Sequence, residues 1–215
     1  PLKVAFCCLV PASSGGETPI ASVRRVTDAI GTKLMDEFEE RRVRDVRHYW
    51  PSVDVSWQMA FQTNDREEVA KFCLAHEITH QWLGDELLRT FQVCQGTARH
   101  PITHERVFFN QAHLFHVSSV GLQAAKLMID FFGNDRLPRQ SFYGDGREIP
   151  MEHLAIVRSA FSGEMQMFPW QTGDVLLLDN MQFAHGRRPF RGPRNMIVAL
   201  MEPYSEQPGG CETDS

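Results

Sequence analysis

His76-Glu77-Ile78-Thr79-His80 places two imidazoles four residues apart, with a carboxylate beside the first. On a helix that spacing puts both rings on one face, where they could share a zinc ion while the glutamate acts as general base to a bound water. Other groups capable of chemistry are spread along the chain. Thr18 follows Gly15-Gly16-Glu17, and Asn110 sits in Phe-Phe-Asn-Gln. His185 and Arg194 bracket a loop that also holds Arg187, Arg188 and Arg191. Taken alone, His185 reads as an ordinary loop histidine, and the loop arginines as a solvated or substrate-facing face.

The zinc reading fails on its context. HEITHQWLG resembles the zinc-binding segment of the M1 aminopeptidases, but only over those nine residues. The glutamate that completes the metal site in that family would fall on Ala98, Arg99 or His100, none of them a carboxylate. The GxMEN segment of that family is also absent. A short motif without its context is a weak signal. The favoured alternative is an amphipathic helix with Phe72, Ala75 and Thr79 toward the core and His76, Glu77 and His80 solvated.

Three other segments belong together in order. GGETPI covers Gly15 to Ile20, HPITHERVFFNQAHLFH covers His100 to His116, and WQTGDVLLLDNMQFAHGRRPFRGPR covers Trp170 to Arg194. With SFYGDGREIP and the TNDREEV stretch, they resemble the TauD/TfdA family of Fe(II)- and 2-oxoglutarate-dependent oxygenases, nearest its clavaminate synthase-like branch. The resemblance runs from about Pro1 to Pro203 and makes HEITH part of a helical insert.

That resemblance implies an α+β double-stranded β-helix (jelly roll) with helical inserts. It also implies a metal held by two histidines and a carboxylate on one face of an octahedron. His185 then becomes an iron ligand. Arg194 becomes the clamp for the distal carboxylate of 2-oxoglutarate, since guanidinium offers a fixed fork. Thr18 becomes its hydroxyl partner. Arg187, Arg188 and Arg191 compete for the clamp, but Arg194 opens the apolar run of Met196, Val198 and Leu200. Two readings of Asn110 stand side by side: a catalytic-site amide touching substrate, or a core amide satisfied by its neighbours.

The same family carries its other two ligands as His-x-Asp or His-x-Glu upstream of the GGETP segment. Here the first histidine is His48, and no histidine is followed two positions later by Asp or Glu. Either the chain is an N-terminally incomplete piece, in keeping with its Pro1 start, or it is a truncated form that binds iron weakly.

The elements that must position these residues are legible in outline. Leu2 to Val10 predicts a strand, Ser13 to Gly16 a turn, and Ile20 to Arg42 a helical stretch broken at Gly31. Asn64 or Asp65 caps a helix that follows the loop around Trp50 and Trp57. ERVFFNQ predicts a strand, while Leu122 to Phe132 and Pro150 to Phe161 predict helices. Two apolar strands flank the Gly/Pro/Arg loop near the end. Residues 1–203 are expected as one oxygenase domain and 204–215 as a polar tail, with no linker between domains.

Bulk properties set outer limits. A net charge of −5 gives no basic footprint for nucleic acid or an anionic membrane. No apolar run is long enough to span a bilayer. Five cysteines without a CxxC pair argue against a disulfide framework and for a reducing cytoplasm. The expectation is a cytoplasmic dioxygenase using Fe(II), 2-oxoglutarate and O2 to hydroxylate a small molecule such as an amino-acid derivative. Water would be excluded by the loop around Trp50 and Trp57. A non-catalytic remnant or binding domain of the same fold is the alternative, and a zinc peptidase the weaker one.

Overall fold

The computed structural model describes residues 1–204 apart from positions 52 and 85. The tail expected over 204–215 lies, from residue 205 on, outside the described residues. Strand β1 (Lys3–Val10) forms where the first apolar run stands, followed by β2 (Ser14–Gly15) and β3 (Ile20–Ser22). The Ser-Ser-Gly-Gly stretch, expected as a turn, is in part a paired strand. Gly15 takes a φ of +70°, and a Cβ there would lie 2.2 Å from the Pro189 carbonyl oxygen, so only glycine permits this approach.

Helices α1 (Val23–Ile30) and α2 (Thr32–Arg41) separate at Gly31, as the sequence suggests. The helical stretch starts three residues later than expected because Ile20–Ser22 pair with a late strand. Along α2 the apolar stripe of Leu34, Met35 and Phe38 is buried. Then come β4 (Val43–His48), α3 (Trp57–Phe61) and α4 (Arg66–Ala75). Asp65 caps α4 by accepting the Glu67 N–H at 2.8 Å. Next are β5 (Thr79–Leu83), β6 (Leu87–Cys94), β7 (Thr97–Arg99) and β8 (Arg106–Phe108). The chain continues through α5 (Ala112–Phe115), α6 (Leu122–Phe132), β9 (Arg139–Tyr143) and α7 (Met151–Glu164). It ends in β10 (Val175–Asp179), β11 (Phe183–His185), β12 (Phe190–Arg191) and β13 (Asn195–Met201).

These elements gather into two compact units, Pro1–Val26, His100–Val107 and Phe161–Ser215 in one, Thr27–Arg99 and Phe108–Ala160 in the other. In the first, β1 lies between β10 and β13 in an antiparallel sheet, while β3 pairs with β11 and β2 with β12. Every N-terminal strand of this unit thus pairs with a C-terminal one. Val4, Cys8 and Leu178 fill the buried face. With its antiparallel strands and inserted helices, the chain has the α+β class expected for the jelly roll that the sequence resemblance implies.

The second unit is built on an antiparallel sheet in the order β5-β6-β4-β9. Tyr49, Trp57, Val69, Cys73 and Leu88 form a buried cluster beside it. Strand β4 is hard to see in the sequence because Arg44 and Arg47 interrupt its apolar pattern. Their guanidinium groups lie over the rings of Phe91 (4.0 Å) and Tyr49 (4.6 Å), so the long side chains cover aromatic surface. No helix among the described residues is long and apolar enough to cross a membrane.

Candidate functional site

The segments around GGETPI and AHGRRPF run antiparallel as one ribbon. Ile20 stands opposite His185, and Gly15 opposite Phe190. The same register holds across the residues between them. Two further bonds bridge the gap, Gly186 N–H to Pro19 O at 3.0 Å and Arg188 N–H to Glu17 O at 3.1 Å. Thr18 therefore comes opposite Arg187. By the alternation of a strand, Thr18 and Ile20 share a face with His185 and Arg187. Two residues far apart in sequence thus lie as diagonal neighbours.

Each of the three expected groups has a defined setting. His185 ends β11 with its ring edge-on to Phe6, centroids 5.1 Å apart. Much of its surface is open, yet lost solvation lowers its pKa, against a backbone hydrogen bond at Phe183 that raises it. The ring is therefore held neutral, the form in which imidazole binds a metal. Thr18 is buried, and its hydroxyl oxygen accepts the indole N–H of Trp170 at 3.1 Å. That leaves the hydroxyl proton for an acceptor such as a carboxylate. Arg194 donates through Nε to Gly16 O at 3.1 Å, and its guanidinium carbon lies 5.7 Å from the Phe190 ring centroid. The two terminal nitrogens of the fork remain for an anion. Gly16, with φ +78°, makes room for this arginine, since a Cβ there would come within 3.2 Å of Arg194 Cδ.

Asn110 belongs to the other unit. Its Nδ2 donates to Gly96 O at 2.7 Å and its Oδ1 accepts the Ala112 N–H at 3.0 Å, so backbone groups occupy both ends of the amide. His113 and His116, near it in sequence, are buried. The loop expected to exclude water belongs to the same unit as Asn110. Trp57 belongs to the core cluster of its unit, and Trp50 donates to Arg136 O at 2.8 Å.

HEITH is not a helical motif in this fold. Helix α4 stops at Ala75, His76 is its C-cap, Glu77 takes a φ of +56°, and His80 lies in β5. His76 stacks on Phe72, ring centroids 4.0 Å apart, and its Nδ1 contacts the Phe72 carbonyl oxygen at 2.8 Å. The two rings therefore lack the shared helical face that a zinc pair requires. The expected packing also differs: Val69 and Cys73 face the core, while Phe72 is exposed.

Among the described residues no three His, Cys, Asp or Glu side chains cluster as a metal site. His185 offers one neutral imidazole nitrogen to a metal ion, while Thr18 offers a hydroxyl proton and Arg194 a guanidinium fork to an anion. Sequence reasoning missed Trp170, whose signal was a tryptophan four residues before Asp174 at the head of the late strand. It also missed the link from His100 to Asp179.

The family model for taurine catabolism dioxygenase TauD and TfdA matches residues 1–201. The dapdiamide synthesis protein DdaC of Enterobacter agglomerans is 42% identical over 203 residues, 94% of this chain and 62% of that protein. A clavaminate synthase-like protein of Arabidopsis thaliana is 28% identical over 211 residues, 93% of this chain and 60% of that one. The chain thus spans about three fifths of the length of these curated relatives. Among solved structures, the PvcB protein of Pseudomonas aeruginosa aligns with a TM-score of 0.46 at 18% identity, covering 91% of this chain and 50% of that one.

Proposed function

The chain belongs to the TauD/TfdA family of Fe(II)- and 2-oxoglutarate-dependent oxygenases, and we propose that residues 1–203 form the part of such an enzyme that grips the cosubstrate and supplies one metal ligand. The reaction is hydroxylation of a small molecule such as an amino-acid derivative. 2-Oxoglutarate loses carbon dioxide, one atom of O2 ends in succinate, and the other ends in the new hydroxyl group. The observation that carries this reading is the ribbon that holds Thr18 and His185 on one face, with Arg194 bonded to Gly16 beside it. The relative from Enterobacter agglomerans is named for dapdiamide synthesis, which favours a small amide over a macromolecular substrate.

Bound Fe(II) would supply the one-electron chemistry that lets O2 attack 2-oxoglutarate and an unactivated C–H bond. The chain's residues do the positioning. His185 offers a neutral imidazole at the end of a strand. Arg194 points the free end of its fork at a carboxylate, with Nε anchored on Gly16 so that the fork cannot rotate away. Thr18 donates its hydroxyl proton to the same carboxylate because Trp170 occupies its acceptor side. The four described cysteines are free thiols, which supports a reducing, cytoplasmic setting.

A second reading, a non-catalytic relative that binds the cosubstrate alone, is favoured by the lack of a three-residue metal cluster among the described residues. One experiment separates the two. Purified protein is given Fe(II), 2-oxoglutarate and a panel of amino-acid amides, and succinate is measured with metal content. Succinate that needs Fe(II) and disappears in His185→Ala supports the oxygenase. Saturable 2-oxoglutarate binding with no iron uptake and no succinate overturns it in favour of the binding domain.

A further inference from the structure

His100, 2% exposed, opens the His-Pro-Ile-Thr turn and belongs to the same unit as β10 and β11. Both of its ring nitrogens are committed. Nδ1 accepts the backbone N–H groups of Ile102 at 3.2 Å and Thr103 at 3.1 Å. Two N–H donors require a lone pair there, so the ring proton resides on Nε2, which donates to Asp179 Oδ2 at 3.0 Å. The ring is therefore fixed in one orientation by bonds at both nitrogens. The other carboxylate oxygen, Oδ1, accepts the N–H groups of Met181 and Gln182, each at 3.0 Å. Gln182 in turn accepts the Val23 N–H at 2.8 Å through its carbonyl. The next residues are β11, which ends at His185.

We propose that His100 is a positioning residue for His185. It holds the Asp179 carboxylate in the orientation that caps the turn after β10, and that turn sets where β11 begins and where the His185 imidazole stands. The consequence for metal rests on the proposed reading of His185, whereas the positioning itself belongs to the metal-free protein. A purely local role, bracing only the turn of Pro101 to Thr103, is the rival.

Two amides that each replace half of the imidazole separate them. His100→Asn keeps an acceptor near Nδ1 and loses the donor at Nε2. His100→Gln keeps a donor near Nε2 and loses the acceptor. Amide hydrogen exchange of Gln182 to His185 is measured in metal-free protein, with β1 amides as internal control, and Fe(II) affinity by competition with a chromophoric chelator. His100→Gln should retain protection and affinity, whereas His100→Asn should lose about tenfold in each, the scale on which outer groups tune a metal site. Equal loss in the two variants, or loss in His100→Gln alone, overturns the proposal. Should His100→Asn fail to fold, Asp179→Asn places an NH2 group against either Nε2–H or two backbone N–H groups. It must then deprotect the same amides, and unchanged protection overturns the proposal. If His185→Ala leaves Fe(II) uptake unaltered, the reading of His185 as a ligand falls, while the exchange comparison still decides the role of His100.

Discussion

The indole of Trp170 donates to the Thr18 hydroxyl at 3.1 Å, joining two buried residues 152 positions apart. This bond gives the hydroxyl a direction. With its acceptor side taken by an N–H, its proton points elsewhere, as a partner for a carboxylate must. Trp170→Phe keeps an aromatic ring beside Phe168 and removes the donor together with the pyrrole half of the indole. The expected result is a KM for 2-oxoglutarate raised roughly two- to tenfold, the range for one neutral hydrogen bond, beside some loss of thermal stability from the smaller buried ring. Steady-state kinetics at saturating substrate check it, and an unchanged KM would remove Trp170 from the cosubstrate site.

Arg194→Lys preserves charge and discards the fork. Lysine cannot both anchor on Gly16 O and present two parallel donors, so the substitution is not conservative here. The 2-oxoglutarate KM should rise by about tenfold or more, a charge-assisted pair being worth roughly 1.5–3 kcal/mol. Arg187→Lys and Arg188→Lys, in the open part of the loop, should change it less than threefold by the same reasoning about exposed groups. The reverse ranking would transfer the clamp to the loop.

How much of this was legible before the fold is clear from particular residues. His185, Thr18 and Arg194 could be named because GGETPI and GDVLLLDN…HGRRPF keep recognisable spacing; the backbone pairs Ile20 with His185, and Arg194 bonds to Gly16. HEITH misled because a helical reading of its spacing assumes that the helix continues past Ala75. Glu77 instead adopts a left-handed conformation and the chain turns into β5. No periodicity announces such a stop. Strand β4 was missed for a different reason: arginines stacked on aromatic rings carry the packing that apolar residues usually signal. The links Thr18–Trp170 and His100–Asp179 join residues too distant for any local pattern to reveal.

The HEITH histidines give a prediction of their own. His76→Ala, at an exposed position, and His80→Ala, at a half-buried one, should leave succinate formation within about twofold. The protein should hold no stoichiometric zinc. Elemental analysis with an activity assay checks both, and loss of activity in His76→Ala alone would restore the peptidase-like site.

Acid should weaken the second unit through its buried histidines. Burial, reinforced by the Arg158 charge, pushes His113 down to about 4 from an ordinary 6.5, and burial lowers His48 and His116 in the same direction. A histidine held neutral when folded takes up its proton first in the unfolded chain. Its stabilising effect is therefore complete above pH 6.5 and is lost as pH falls toward 4. For His113 the loss amounts to about 3 kcal/mol, from 1.36 kcal/mol per pH unit. Urea unfolding between pH 7.5 and 4.5 should show stability falling with pH, with a shallower slope in His113→Phe if that variant remains folded. A flat profile would contradict the neutral burial of these rings.

Fe(II) uptake by the wild-type chain and by His185→Ala, titrated anaerobically with 2-oxoglutarate present, tests the central claim most directly. The account requires uptake in the wild type and a fall of at least tenfold in affinity in the variant, the size of effect expected for a lost metal contact. Equal uptake by the two proteins would contradict it.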